Sequence, residues 1–143
     1  MERSRSSLTV LDETRLSVLR LAEQVEHGPD YSTFHDWHEI GAAGEPAFAG
    51  VWVNFDNAVV AERAAFWKDS AGIVRCRGMV KTGTGTIFTL PVGFWPLGTR
   101  RFAVVGNGAF ARVDVSNLGV VAISVGSGTT HLTLDGIAFR AEK

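Results

Sequence analysis

The residues best suited to chemistry by type and spacing lie in the run His35-Asp36-Trp37-His38-Glu39. In a helix, His35 and His38 would share a face, whereas in a strand they would point to opposite sides of a sheet. A zinc site needs a third protein ligand, and the other histidines of the chain are His27 and His131. We therefore interpret this segment as a solvated polar connector and expect no metal. His35 and His38 are the candidate ligands if an ion binds.

Two glycine-rich stretches resemble phosphate-binding loops. The run Gly106-Asn107-Gly108-Ala109-Phe110-Ala111 matches the dinucleotide fingerprint, but a strand-like alternation follows where that mechanism needs the start of a helix. The run Lys81-Thr82-Gly83-Thr84-Gly85-Thr86 carries its lysine before the glycines, opposite to the order of a phosphate-binding loop. We interpret both stretches as hairpin turns and expect no nucleotide or other cofactor.

The remaining polar residues form no recognisable catalytic pattern. No serine lies in a Gly-x-Ser-x-Gly sequence. The carboxylates that could act in sugar hydrolysis each fall at or near a predicted turn or strand end, where solvated acids are common. They are Asp56, Glu62, Asp69, Asp114 and Asp135. The single cysteine, Cys76, lies in a strand-like run and is interpreted as a small buried apolar residue. The pattern favours a binding protein over an enzyme.

Composition limits the classes of protein that fit. The chain has 143 residues, of which 45% are apolar and 20% charged, and its formal net charge is -1. With no excess of basic residues, sequence-independent binding to nucleic acid is disfavoured. Its longest apolar runs fall far short of the roughly 20 residues that span a bilayer, so we expect no membrane insertion. All 16 glycines lie between Gly28 and Gly136, which indicates a change of structure at Gly28.

The glycine-free N-terminal segment has the spacing of a helix that packs on copies of itself. Apolar residues recur at intervals of three and four, and Gly28-Pro29 provides the usual helix stop. We predict an α-helical coiled-coil stem over residues 1–28, an irregular connector over 29–47 and a head domain over 48–143. An isolated helix of this length is marginal in water, so the stem needs a partner. The predicted trimerisation residues are Leu8, Leu11, Val18, Leu21, Ala22 and Val25.

The head has the pattern of an antiparallel β-sandwich or jelly roll. Short β-type runs alternate with turns rich in Gly, Asn, Asp and Ser, and no helix-length pattern lies between them. The predicted strands are Gly50–Phe55, Ala61–Lys68, Ile73–Lys81, Thr86–Leu90, Arg101–Val105, Phe110–Ser116, Val120–Val125 and Thr130–Phe139, the last with a candidate break at Asp135-Gly136.

Two of these runs predict how the sheets are covered. Around Phe110–Val115 the residues alternate, with Ala111, Val113 and Val115 on the face expected to be buried. Val120–Val125 is apolar on both faces, which is typical of a strand covered twice. A head of about 95 residues has little material for a second cover. We therefore expect another copy of the chain to provide it.

Three segments of the head together resemble a known protein family. They are Ala64-Ala65-Phe66-Trp67-Lys68-Asp69 with Gly72–Lys81, then Gly85-Thr86-Ile87-Phe88-Thr89-Leu90-Pro91-Val92-Gly93-Phe94-Trp95-Pro96, and finally Leu134–Arg140. Their order and spacing resemble the C-terminal head of bacteriophage minor tail and tail-fibre proteins, over about Phe48 to Arg140. The resemblance implies a trimeric β-sandwich head on a stem, which attaches a phage or related injection particle to a bacterial surface.

The leading hypothesis is a non-enzymatic, homotrimeric receptor-binding protein of a phage tail. Its expected partners are itself, other tail proteins and a host cell-surface receptor, either carbohydrate or protein. It would be made in the host cytoplasm and located in the virion tail. The alternatives are a structural assembly or decoration protein of the virion and a polysaccharide-cleaving, tailspike-like enzyme. Candidate receptor contacts in or beside predicted loops are Trp95, Asn107, Phe110 and His131.

Overall fold

A computed structural model describes residues 36–56 and 63–143. The predicted stem, with Leu8, Leu11, Val18, Leu21, Ala22 and Val25, lies outside the described residues, as does His35. The described part of the chain is all-β and contains no helix, and hence no helix that could cross a membrane. The predicted all-β, antiparallel character of the head is confirmed.

The described residues form eleven strands. They are β1 (His38–Glu39), β2 (Val53–Asn54), β3 (Ala65–Lys68), β4 (Ile73–Arg77), β5 (Met79–Lys81), β6 (Thr86–Thr89), β7 (Arg100–Gly106), β8 (Ala109–Val115), β9 (Val120–Val125), β10 (Leu132–Thr133) and β11 (Ala138–Arg140). Strand β1 falls within the segment interpreted as an irregular connector, and it pairs with β3, while the adjacent Ile40 is buried in the core.

The strands belong to two antiparallel sheets. A four-stranded sheet has the order β1-β3-β4-β11, and a seven-stranded sheet has the order β2-β5-β10-β7-β8-β9-β6. One core contains buried side chains from both sheets, among them Phe66 and Val74 of the first and Val113 and Val121 of the second. Phe66 stacks with Phe88 across the two sheets, with 6.4 Å between ring centroids. The inner faces of the sheets therefore enclose a single core.

One predicted strand is divided between the sheets. The sequence from Ile73 to Lys81 reads as a continuous strand, but β4 lies in the four-stranded sheet and β5 in the seven-stranded sheet. The division falls at Gly78, whose φ of +102° is accessible mainly to glycine. A Cβ at this position would also collide with the backbone of Arg63 and Ala64. The prediction of a single strand was wrong because glycine lets the chain turn from one sheet to the other.

The C-terminal run from Thr130 to Phe139 makes the reverse crossing. It divides into β10 and β11 on either side of Asp135-Gly136, the candidate break. The two crossings contact each other, since Gly78 N donates to Asp135 Oδ1 at 2.9 Å and Leu134 N donates to Gly78 O at 2.8 Å. These bonds fix the positions at which the two segments cross between the sheets.

The predicted burial pattern is confirmed in β8, whereas the predicted cover of β9 by another copy stays a prediction. Ala111, Val113 and Val115 are fully buried in β8. In β9, Val121 is buried, but Val125 keeps 42% of its surface exposed. The described residues therefore cover one face of β9, and the outer face toward its end stays open.

Cys76 is buried in the core, as predicted. Burial raises the pKa of its thiol to about 12, because a charged thiolate would lose its hydration. The side chain therefore acts as a protonated apolar residue at neutral pH.

Candidate functional site

Three of the four predicted receptor contacts lie at one end of the seven-stranded sheet. Asn107 and Gly108 form the two-residue turn between β7 and β8, and Phe110 is the second residue of β8. His131 directly precedes β10, and its carbonyl accepts from Asn107 N at 2.9 Å. The turn has positive φ at both residues, 51° for Asn107 and 74° for Gly108. Asn-Gly is the preferred pair for such hairpin turns, so the local sequence specifies this geometry.

Asn107 connects this turn to the loop that joins β9 and β10. Its Nδ2 donates to Ser127 Oγ at 3.0 Å and to Thr129 Oγ1 at 3.1 Å. Its Oδ1 accepts from Thr130 N at 2.8 Å and from His131 N at 3.1 Å. All four bonds join residues at least 20 positions apart, and they leave the Asn107 amide with little freedom to rotate. The Asn107 side chain therefore ties this loop to the hairpin turn, and Ser127 and Thr129 add hydrogen bonds within the loop.

The imidazole of His131 is oriented by a backbone group and an aromatic ring. Its Nε2 accepts from Gly108 N at 3.2 Å, which places the proton of the neutral ring on Nδ1. The ring lies edge-on to Phe55, with 6.4 Å between centroids. Lys81 Nζ lies 5.6 Å from the centre of the same Phe55 ring. The end of the sheet thus combines an aromatic surface with one cationic group and one imidazole.

An apolar surface adjoins this hydrogen-bonded end. Phe110 is 62% exposed and lies opposite Val105, which is 50% exposed. Val125, near the end of β9, is 42% exposed and pairs with Arg112. We name these three side chains together with Asn107 and His131 the hairpin-end surface. Aromatic and aliphatic groups beside fixed amide and imidazole groups suit contact with a sugar ring or with a protein side chain.

Trp95 lies at the opposite end of the same strands. Its Nε1 donates to Leu90 O at 2.7 Å, and its half-buried ring packs against Gly119, where a Cβ would collide with it. Gly119 belongs to the turn between β8 and β9, at the end where Arg100 pairs with Val115. The structure therefore brings Asn107, Phe110 and His131 together and places Trp95 apart from them.

The segment considered for metal binding has another arrangement. His38 Nδ1 lies 2.9 Å from Glu45 Oε1, and the imidazole stacks on Phe66 at 5.0 Å between centroids. Within residues 36–56 and 63–143, no group of three or more His, Cys, Asp or Glu side chains could hold a metal ion. His38 is thus engaged by a carboxylate and an aromatic ring.

Two of the predicted carboxylates, Asp69 and Asp114, form hydrogen bonds and ion pairs within the head. Asp69 Oδ1 accepts from Ala71 N and Ile73 N at 2.9 Å, and its Oδ2 accepts from Arg75. These bonds hold the pKa of Asp69 below its usual value, with the Arg75 bond the largest cause. Asp114 accepts from Arg112 at 3.0 and 3.3 Å. Each of these acids has a structural role in the turn or strand that carries it.

Comparison with known proteins places the fold. No protein-family model matches the chain, and the search of curated proteins finds no match. Among solved structures, the chain is similar to the receptor binding protein of Listeria phage PSA, with a TM-score of 0.61 and 17% sequence identity. The likeness covers 96% of this chain and 79% of the phage protein. At this identity, the likeness shows a shared fold.

Sequence reasoning missed part of the hairpin-end surface. The sequence pattern places Val105 and Val125 in strands and does not mark them as contacts, and Ser127 and Thr129 lie between two predicted strands. The alternation along β7 contained a usable signal, because Val105 shares a face with Arg101 and Ala103 and lies opposite Phe110 across a two-residue turn. The hydrogen bonds from Asn107 to the loop after β9 depend on how distant strands pair, which no local pattern specifies.

Proposed function

We propose that this protein is a non-enzymatic, homotrimeric receptor-binding protein of a phage tail, which attaches the particle to a carbohydrate or protein on a bacterial surface. The observation that carries the proposal is the fold shared with the receptor binding protein of Listeria phage PSA over 96% of this chain. The resemblance of three head segments to phage tail proteins supports it independently. The protein would be synthesised in the host cytoplasm and assembled into the virion tail with other tail proteins.

The hairpin-end surface is the proposed receptor contact. It offers an exposed aromatic ring, Phe110, beside polar groups whose positions are fixed by hydrogen bonds. Preorganised groups lose little conformational freedom on binding, so a small contact area can still select its ligand. Three copies on one particle would strengthen a weak single-site contact through avidity.

Adsorption of labelled full-length protein to a panel of bacterial strains tests the proposal. We expect at least one strain to bind the protein, and an excess of unlabelled protein to compete. Phe110→Ala and His131→Ala should each reduce adsorption about tenfold or more, because truncating a central contact in each subunit weakens every arm of a multivalent complex. Leu118→Ala is the matched control, since Leu118 is 58% exposed in the turn at the opposite end of β8.

Two results would contradict the proposed role, and a third would contradict the proposed contact. Binding to tail particles but to none of the strains would indicate the structural assembly role instead. Release of new reducing ends from cell-surface polysaccharide by the purified protein would indicate the tailspike-like enzyme. Folded Phe110→Ala and His131→Ala variants that adsorb as well as Leu118→Ala would show that the receptor contacts another part of the head.

A further inference from the structure

A second surface of the head is an open cleft lined by three arginines. It has a volume of about 670 Å³ and lies between the start of β7 and the strand β11. Its lining consists of Thr99, Arg100, Arg101, Phe102, Ala138, Phe139 and Arg140. We name it the arginine cleft. It is distinct from the hairpin-end surface, because Arg100 is at the end of β7 remote from the turn at Asn107.

The pairing of the strands explains why a cleft opens here. β10 pairs with β7 only at Gly106, so the stretch of β7 that begins at Arg100 has β8 on one side and no paired strand on the other among the described residues. β11 is the edge strand of the other sheet. Phe102 and Phe139 contact each other between the sheets, with 6.3 Å between ring centroids. Both aromatic residues line the cleft.

Among the described residues, two of the three arginines in the cleft have no acidic partner. Within residues 36–56 and 63–143, neither Arg100 nor Arg140 forms an ion pair. Arg101 Nε lies 3.9 Å from Asp114 Oδ2, but that carboxylate already accepts two hydrogen bonds from Arg112. No carboxylate is among the lining residues. The cleft thus keeps an excess of positive charge in a chain whose net charge is -1.

The chemistry of the lining indicates the class of ligand. Guanidinium groups bind carboxylates and phosphates through paired hydrogen bonds, and their planar geometry suits these anions better than a lysine ammonium does. A cleft of about 670 Å³ is within the size range of small-molecule sites and far larger than a bare inorganic anion requires. Phe102 is partly exposed beside the arginines and offers an apolar face to a ring. We propose that the arginine cleft binds an acidic saccharide, one that carries a carboxylate or phosphate group.

Direct binding measurements on the full-length protein test this site. The probes are trigalacturonic acid for the carboxylate form, glucose 1-phosphate for the phosphate form, and galactose and glucose as neutral controls. We expect millimolar or tighter binding of at least one acidic probe, no binding of the neutral sugars, and weakening by added salt. Amide chemical-shift changes in the unmodified protein should be concentrated in residues 99–102 and 138–140.

Charge variants separate a specific site from a general charge effect. The double variant Arg100→Gln/Arg140→Gln should weaken acidic-probe binding at least tenfold. The control Arg3→Gln/Arg5→Gln removes the same charge from the N-terminal segment and should leave binding within about twofold. Absence of acidic-probe binding, equal losses in both double variants, or shift changes outside the cleft would each overturn the proposal. If the cleft variant does not fold, the location of the shift changes in the unmodified protein still decides the question.

Only the step from an acidic saccharide to a host receptor rests on the proposed function. Probe binding and strain adsorption are separate measurements, so either can fail alone. Probe binding at the cleft without adsorption to cells would support the ligand site and contradict the receptor role. Adsorption to cells without probe binding would support the receptor role and contradict the ligand site.

Discussion

At the residue scale, several side chains have roles that follow directly from their contacts. Trp52 is buried, its Nε1 donates to Thr84 O at 3.2 Å, and its ring packs against Gly83 and Gly128. The two glycines form an isolated bridge with each other, so the indole covers a stretch of backbone that carries no side chains. Gly83 does not have a positive φ, so its backbone conformation does not require glycine. Glycine is needed here because the Trp52 ring approaches the backbone closely.

Replacement of Gly83 by alanine tests this close approach. A Cβ at Gly83 would collide with the buried Trp52 ring, so Gly83→Ala should lower the free energy of unfolding by about 1–3 kcal/mol. Urea unfolding followed by tryptophan fluorescence measures the change. Gly98→Ala is the matched control, because a Cβ there meets nothing within 4 Å, and it should change stability by less than about 0.5 kcal/mol. Equal stability of the two variants would contradict the packing of Trp52 on Gly83.

Asp69 predicts a pH dependence of stability. Its pKa is lowered in the folded protein, chiefly by Arg75, so the ionised form stabilises the fold. This stabilisation is fully present above the unfolded-state pKa of about 3.9 and is lost as the pH falls through the lower folded-state pKa. Asp69→Asn should therefore destabilise the protein by about 1 kcal/mol at pH 7, with a smaller difference in strong acid.

Thermal unfolding from pH 7 down to pH 2 measures this difference. Glu142→Gln serves as the control, because Glu142 is exposed and its side chain has no hydrogen bond or ion pair with the described residues. A difference between Asp69→Asn and the unmodified protein that stays constant over the whole pH range would refute a charge-dependent role for Asp69.

At the element scale, local signals predicted the hairpins, and distant contacts decided the rest. The turn at Asn107-Gly108 follows from two residues that accept positive φ between alternating strands. The division at Gly78 has no such local mark, because the run on both sides keeps the alternation of one strand. Gly78 permits the turn through its positive φ, and the Arg63–Ala64 backbone passes so close that no side chain fits there. Asn107 and His131 also meet only because β10 inserts beside β7.

Substitutions of Asn107 test how far the hairpin turn and the loop between β9 and β10 depend on this side chain. Asn107→Gly keeps the positive φ but loses four hydrogen bonds, and should cost about 1–2 kcal/mol in unfolding free energy. Asn107→Ala should cost about 1 kcal/mol more, because alanine also resists the left-handed backbone. Denaturant unfolding ranks the two variants. A more stable alanine variant would show that the turn does not keep this conformation.

At the scale of the whole molecule, the open outer face of β9 and the predicted stem lead to the same expectation. The apolar residues on both faces of β9 and the apolar spacing of residues 1–28 both favour association of copies, and the domain boundaries at 28 and 47 stay predictions. The resemblance to phage tail proteins implies that three copies associate.

Light scattering on the full-length protein measures the number of copies. We expect a mass three times the 15.4 kDa of one chain. Leu11→Asp/Val18→Asp places two charges in the predicted seam and should reduce the mass to that of a monomer at micromolar concentration. The variant Ser17→Asp/Arg20→Asp has two aspartates at positions outside the seam, and it should remain trimeric. A monomeric unmodified protein would refute the trimer, and a trimeric seam variant would refute the role of the stem.

The position of β10 has a consequence for how the protein is made. This strand is the tenth of the eleven that residues 36–56 and 63–143 form, yet it lies inside the seven-stranded sheet between β5 and β7. Without it, β2 and β5 have no strand that joins them to the remainder of the sheet. Contacts between distant parts of a chain form slowly, and an incomplete sheet exposes unpaired edges. A nascent chain stalled before Leu132 should therefore be protease-sensitive, and the head should become resistant only when its last strands leave the ribosome.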